Sequence, residues 1–185
     1  MMRFTLRHIF AAATLPLLAL ASCMDDNASS DSRDIANWRA KNEAYLIEAE
    51  NETQGGVKVY EKVVPSWMPT GYVLMKWHND RELTQNNLTP LYNSTVDVIY
   101  EGELVDGTVF DKSANHFANG VFTSQPSQNI AGMAVALTNM HVGDSVTMVI
   151  PYDLAYGAYG SGTIRGYSTL IFHVRLKDVA AYDKQ

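Results

Sequence analysis

Residues 96–113, VDVIYEGELVDGTVFDKS, constrain the fold more than any other stretch of this chain. Val96, Val98 and Tyr100 alternate with Asp97, Ile99 and Glu101, the period-2 pattern of a half-buried strand. Asp106-Gly107 is the dipeptide that best supplies the positive φ angles of a tight hairpin turn. Val109 and Phe110 then resume an apolar run, with Asp111 directly behind. A carboxylate beside a large aromatic, just off a strand, is the first hint of a site. At this point the plainer reading, an ordinary hairpin with Phe110 in the core, stands beside it.

The remaining pattern fits around that hairpin. Asp34 is placed to cap a helix over residues 35–50, carrying Ile35, Trp38, Ala44, Tyr45, Ile47 and Ala49, with Gly55-Gly56 as its stop. Residues 57–64 and 72–77 read as strands, separated by Pro65 and Pro69, and residues 79–90 as a long Asn-rich loop. Ile130, Met133, Ala134, Leu137 and Met140 fall at helical spacing, and Gly143 marks the stop. Residues 145–150 alternate again before Pro151, and residues 169–179 close the chain with Leu170, Phe172, Val174 and Leu176 on one face. Between them, residues 152–168 are rich in Gly and Tyr. Strands joined by turns, with one apolar-faced helix to cover them, predict an α+β domain over residues 57–179 built on an antiparallel sheet. An extra helical extension, residues 35–56, precedes it.

The start of the chain reads as a targeting segment. Arg3 and Arg7 precede an apolar run, Ile9 to Ala21, that is shorter than the roughly 20 residues a membrane helix needs. Leu20-Ala21-Ser22-Cys23 resembles the lipobox of bacterial lipoproteins, so residues 1–22 are expected to be a lipoprotein signal peptide and Cys23 the lipidated N-terminus. Cys23 is the only cysteine, which leaves it no partner for an intramolecular disulfide. Residues 23–34 are expected to be a flexible tether, and the implied location is the bacterial cell envelope, on its periplasmic face or outer surface, anchored to the membrane through Cys23. Asp25-Asp26 behind the cysteine resembles a surface-display signal or is simply a solvated linker. A net charge of −6 without a basic cluster argues against nucleic acid as a partner. Five scattered histidines show no metal-ligand spacing, so neither a metal nor a cofactor is expected.

Three segments together resemble one family: YEGELVDGTVFD, NIAGMAVALTNMHVGD and IPYDLAYGAYGSGTIRGYSTLIFHVRL. Their order and separation are similar to the FK506-binding (FKBP) type of peptidyl-prolyl cis-trans isomerase, most specifically over residues 96–179. The resemblance implies a curved antiparallel sheet wrapped around one short helix, with a pocket between the two. It implies Tyr100, Phe110, Asp111, Ile130, Tyr156 and Phe172 as catalytic residues. Met133 as the floor, Ile164, His116 and Phe122 would complete the substrate site. Proline-containing polypeptides, and a macrolide of the FK506 kind, are the implied ligands.

The family's chemistry needs no nucleophile or metal. Twisting an amide breaks a resonance worth a barrier of roughly 18–20 kcal/mol, and the twisted carbonyl is less polar than the planar one. An apolar aromatic pocket therefore favours the twisted state. The implied function is a peptidyl-prolyl isomerase of the cell envelope that assists folding of exported proteins. The alternative is a proline-peptide-binding module or chaperone with little turnover. Four features depart from the family pattern. The floor, often tryptophan, is Met133; the basic partner of Asp111 falls on His116; and Ile164-Arg165-Gly166 replaces a proline-bearing lid. An aromatic expected after the Phe-Asp pair aligns with Gly120, leaving Phe117 or Phe122 to take its place.

Overall fold

Alternating strands and one buried helix assemble as the pattern requires. The structure is a computed structural model that describes residues 26–180. The expected signal peptide (1–22), Cys23 and Asp25 lie outside the described residues. A long helix, α1 (Asp26–Asn51), leads into the strands β1 (Thr53–Gln54), β2 (Val57–Lys58), β3 (Glu61–Val63), β4 (Val73–Trp77), β5 (Val96–Leu104), β6 (Val109–Lys112) and β7 (Phe122–Ser124). The short helix α2 (Ala131–Leu137) follows, then β8 (Ser145–Ile150), the two-residue strands β9 (Gly160–Ser161) and β10 (Ile164–Arg165), and β11 (Leu170–Val179).

The main sheet is antiparallel in the order β3-β4-β8-β11-β5-β6, with β7 pairing β5 beyond the end of β6. Its inner face is made by the alternate apolar residues of each strand. Val73 and Met75, Val96 and Val98, Val146, Met148 and Ile150, and Leu170, Phe172, Val174 and Leu176 are all buried there. Met133, Val135, Ala136 and Leu137 of α2 fill that face. The approach is close because position 132 is glycine: a Cβ there would overlap the Ile150 side chain. Every residue of α2 from Gly132 to Leu137 is buried.

The outer face carries α1. Tyr45, Leu46 and Ala49 pack with Tyr60, Tyr72 and Val105 over Leu74, Val149 and Ile171. The docking stripe is Trp38, Asn42, Tyr45, Leu46 and Ala49, spaced at i, i+4, i+7, i+8 and i+11 as a helix face demands. Ile35, Ala44 and Ile47, expected on that face, are exposed, Ile47 at 60%. The reason is Asn42, which is fully buried and interrupts the apolar pattern with a polar residue.

Three expectations change in detail. The helix starts at Asp26, not Asp34, so residues 26–34 are helical where a tether was expected. Residues 57–64 form no continuous strand: β2 turns back on β1 in a two-stranded ladder, and only β3 joins the main sheet. The β5–β6 turn is a three-residue loop. The Gly107 N–H donates to the Leu104 carbonyl, and the Leu104 N–H donates to the Thr108 carbonyl. Only Gly107, at φ +84°, is left-handed, while Asp106 caps the Thr108 N–H through its carboxylate. This is the type I turn plus glycine bulge rather than the two-residue turn.

On the far side of the sheet from the hairpin tip, Asp144 is fully buried and ties the 79–84 loop to the turn before β8. Its carboxylate accepts from the Thr84 hydroxyl, the Asn79 amide and the His141 N–H, with the Arg81 guanidinium 3.6 Å away. Burial raises its pKa, but these donors and the Arg81 charge outweigh that and hold it below the usual carboxylate range.

Candidate functional site

The site is built on a break in strand regularity. Along β5 and β6, Glu103 faces Val109 and Gly102 faces Asp111, so Phe110 is an extra residue without a partner. In a regular strand Phe110 and Asp111 would point to opposite faces. The bulge turns both into the same cavity. Gly102 is the other half of this device. A Cβ at 102 would lie 2.6 Å from the Phe110 ring and 2.7 Å from the Phe172 ring, so only glycine lets both aromatics lie over β5.

The cavity holds about 150 Å³ between the sheet and α2. An apolar cavity of about this volume accommodates a single benzene ring. Phe110 and Phe172 meet edge to face at 5.4 Å, Tyr100 meets Phe172 at 6.2 Å, and Tyr100 meets Phe122 at 5.6 Å. Such T-shaped contacts fix ring orientations beyond what burial alone achieves. Met133 and Leu137 close the inner end, Ile130 stands at the start of α2, and Tyr156 comes in from the β8–β11 connection.

One polar cluster sits at the rim. The Tyr100 hydroxyl donates to Asp111 Oδ2 at 2.8 Å, and His116 Nε2 lies 2.7 Å from Asp111 Oδ1. Burial, then the hydrogen bond to Asp111, pushes the Tyr100 phenol well above its ordinary range. Burial and the nearby Asp111 charge raise Tyr156 as well. Both phenols are therefore donors at any physiological pH, and Tyr156 keeps 38% of its surface exposed.

Of the ten residues expected here, Tyr100, Phe110, Asp111, Phe122, Ile130, Met133, Tyr156 and Phe172 line the cavity. His116 stands outside its lining and meets it through Asp111. Ile164 is not a wall: it is 8% exposed and packs into the main core. The tight β9–β10 turn carries it there; a Cβ at Gly160 would strike the Ile164 carbonyl. Between the two aromatics considered for the place aligned with Gly120, Phe122 enters the cavity and Phe117 stacks behind it at 5.6 Å. Val98, Ser124, Asn129 and Leu137 also line it. Three of these were within reach of the pattern: Val98 is two residues from Tyr100, Ser124 two from Phe122, and Leu137 one turn from Met133. A larger groove of about 680 Å³, with Trp67, Tyr92 and Val135 in its walls, lies against a different face of α2 but brings no carboxylate, histidine, lysine or arginine to its lining.

Comparison with known proteins gives a consistent answer. Residues 88–177 match the family described as FKBP-type peptidyl-prolyl cis-trans isomerase. The chain is 40% identical over 89 residues to FK506-binding protein 2 of Debaryomyces hansenii, covering 48% of this chain and 66% of the relative. It is 34% identical over 145 residues to a probable FKBP-type isomerase, FkpA, of Neisseria meningitidis, covering 77% of this chain and 47% of the relative. Among solved structures, FkpA from Escherichia coli superposes with a TM-score of 0.66 at 27% identity, covering 84% of this chain and 65% of that one. A peptidyl-prolyl isomerase from Pseudomonas syringae gives 0.57 at 29% identity, with coverages of 76% and 93%. The chain spans about two thirds of the first of these curated relatives and about half of the second.

Proposed function

The chain belongs to the FKBP-type peptidyl-prolyl cis-trans isomerase family through residues 88–177, and from that premise we propose that it catalyses cis-trans exchange of X-Pro bonds in polypeptides of the bacterial cell envelope. The observation that carries this reading is the aromatic box of Tyr100, Phe110, Phe122 and Phe172 over Met133, sized for one ring, with a single carboxylate at its rim. Phe110 and Phe172 grip the proline ring. The Ile130 N–H finds no acceptor among the described residues and is free to hold a substrate carbonyl. The Tyr156 hydroxyl donates to a second carbonyl. Asp111, fixed by Tyr100 and His116, orients polar groups at the mouth.

Rate acceleration follows from differential binding. The planar X-Pro amide is the more polar state, and in this box it loses water without regaining hydrogen bonds of equal quality. The twisted amide has less to lose, so the box lowers the barrier. Uncatalysed exchange takes tens to hundreds of seconds, slow enough to limit folding of an exported chain. Lipid anchoring through Cys23 and service to exported clients are part of the same proposal; named bacterial relatives include an outer membrane protein, MIP, of Legionella longbeachae. A macrolide of the FK506 kind is proposed as a competing ligand for the box.

The test is cis-trans exchange of short X-Pro peptides by the full chain, over a panel of residues before proline. Acceleration that an FK506-like macrolide suppresses supports the proposal; exchange at the buffer rate across the panel overturns the enzyme. Met133 favours a second reading, because a flexible thioether shapes a floor less rigidly than an indole ring. On that reading the peptide binds saturably and exchange is unchanged.

A further inference from the structure

The family's lid is stiffened by proline, and this lid has none: residues 152–169 contain no Pro. Instead, four residues of α1 hold it. Asn42 is buried with its Oδ1 accepting the Thr169 N–H at 2.8 Å, while its own carbonyl accepts from the Thr169 hydroxyl. Trp38 Nε1 donates to Ser168 Oγ at 3.1 Å, and that hydroxyl donates to the Arg165 carbonyl at 2.7 Å. Asp34 pairs with Arg165 at 2.8 Å. The Arg39 guanidinium stands 4.9 Å from the centre of the Tyr167 ring and 5.8 Å from that of Tyr152, within reach of both π faces.

Tyr167 links these contacts to the cavity. It is the one non-glycine residue at positive φ (+62°) among the described residues, a conformation a bulky side chain adopts only when its surroundings enforce it. In that conformation its N–H donates to the Gly157 carbonyl at 2.9 Å, and Gly157 adjoins Tyr156. The chain of contacts therefore runs from Arg39 to Tyr167, to Gly157, to the tyrosine at the cavity mouth.

We propose that α1 is the brace of this lid, with Arg39, Trp38 and Asn42 acting as positioning residues that keep Tyr156 at the mouth of the site. The inference rests on the isomerase reading for its catalytic consequence, but not for its structural one. A loosened lid leaves the binding-competent state only fractionally populated, so apparent affinity falls by that fraction while turnover at saturation is kept.

The experiment compares the full chain with Arg39→Ala and Trp38→Phe, separately and together, reading X-Pro exchange and amide hydrogen exchange of residues 156–169. Arg39→Lys keeps a cation over Tyr167, and Glu50→Gln loosens the same helix at its other end, where Glu50 meets Lys62 and Tyr72. The brace predicts that KM rises about three- to tenfold in the double variant with kcat nearly unchanged. Lid amides should exchange faster while those of β5 and β11 do not, and Arg39→Lys should recover most of the loss. Wild-type KM with wild-type lid protection overturns it, as does a fast-exchanging lid with unchanged KM. An equal loss from Glu50→Gln overturns it too, since α1 would then act only through its overall docking. If the wild-type chain itself fails to accelerate exchange, the isomerase reading falls, and lid protection alone then decides the brace.

Discussion

The cavity has two walls of different construction. The sheet wall, Tyr100, Phe110 and Asp111 with Phe172, sits on strands of the main sheet, paired on both sides of the single bulge at Phe110: Phe172 lies directly across from Gly102, and Gly102 across from Asp111. The lid wall, Tyr156, hangs from a connection whose only regular pairing is the two-residue ladder of β9 and β10. One wall is positioned by neighbours within about a dozen residues of sequence plus one adjacent strand. The other is positioned by a helix more than a hundred residues away, as the Trp38–Ser168 and Asn42–Thr169 contacts show. A wall set by backbone pairing moves only if the sheet breaks. A wall set by side chains moves when any one of them is lost.

The strongest challenge to that contrast is Phe172→Ala. The side chain is 6% exposed and touches both Phe110 and Tyr100, so its removal should cost about 3–5 kcal/mol of stability and return X-Pro exchange to the uncatalysed rate. Denaturant unfolding alongside the exchange assay reads both. A variant that stays stable would mean that the ladder alone holds the sheet wall. Gly102→Ala comes next. Its Cβ meets the ends of two rings rather than backbone, so the rings should yield into the cavity at a cost of about 1–3 kcal/mol. Proline-peptide affinity should fall more than tenfold, about 1.4 kcal/mol or more in binding free energy, as titration calorimetry would show. Wild-type affinity here would separate the glycine from the site.

Asp111→Ala should cut exchange while lowering stability by less than about 1.5 kcal/mol, because Tyr100 and His116 lose one partner each at a solvent-facing rim. A loss several times larger would make Asp111 a structural residue.

The smallest effect is alkaline. Burial raises the phenols of Tyr60 and Tyr72 from 10.0 to about 12, Tyr72 with help from its hydrogen bond to Glu50 of α1. The folded state therefore favours their protonated forms. Their contribution is complete below pH 10 and is lost as pH rises through about 12. Melting temperature should decline across that window, and the double variant Tyr60→Phe, Tyr72→Phe should decline less. An identical decline in both would remove these tyrosines from the anchoring of α1.

What the sequence revealed follows the same division. Alternation and helical spacing are local signals, and they located β4, β5, β8, α2 and β11 within a few residues. The aromatic set was legible because its members sit in a distinctive order along those elements. Ile164 lies in the core and not in the cavity wall because its position depends on a glycine-rich turn whose path no periodicity encodes. Asn42 carries no sequence signal, because a polar residue on a helix looks solvated until its partner, the Thr169 N–H, is known. The β5–β6 turn is legible in Asp106-Gly107, but its loop length and the bulge at Phe110 are not. A one-residue offset between paired strands leaves no mark on either strand alone.

That offset sets how this domain tolerates change. Deleting Phe110 would restore an unbroken β5–β6 ladder while removing one side of the aromatic box and swinging its neighbour in register. The more regular hairpin is thus the one without the aromatic box, so the irregularity at Phe110 serves the proposed pocket and not the sheet.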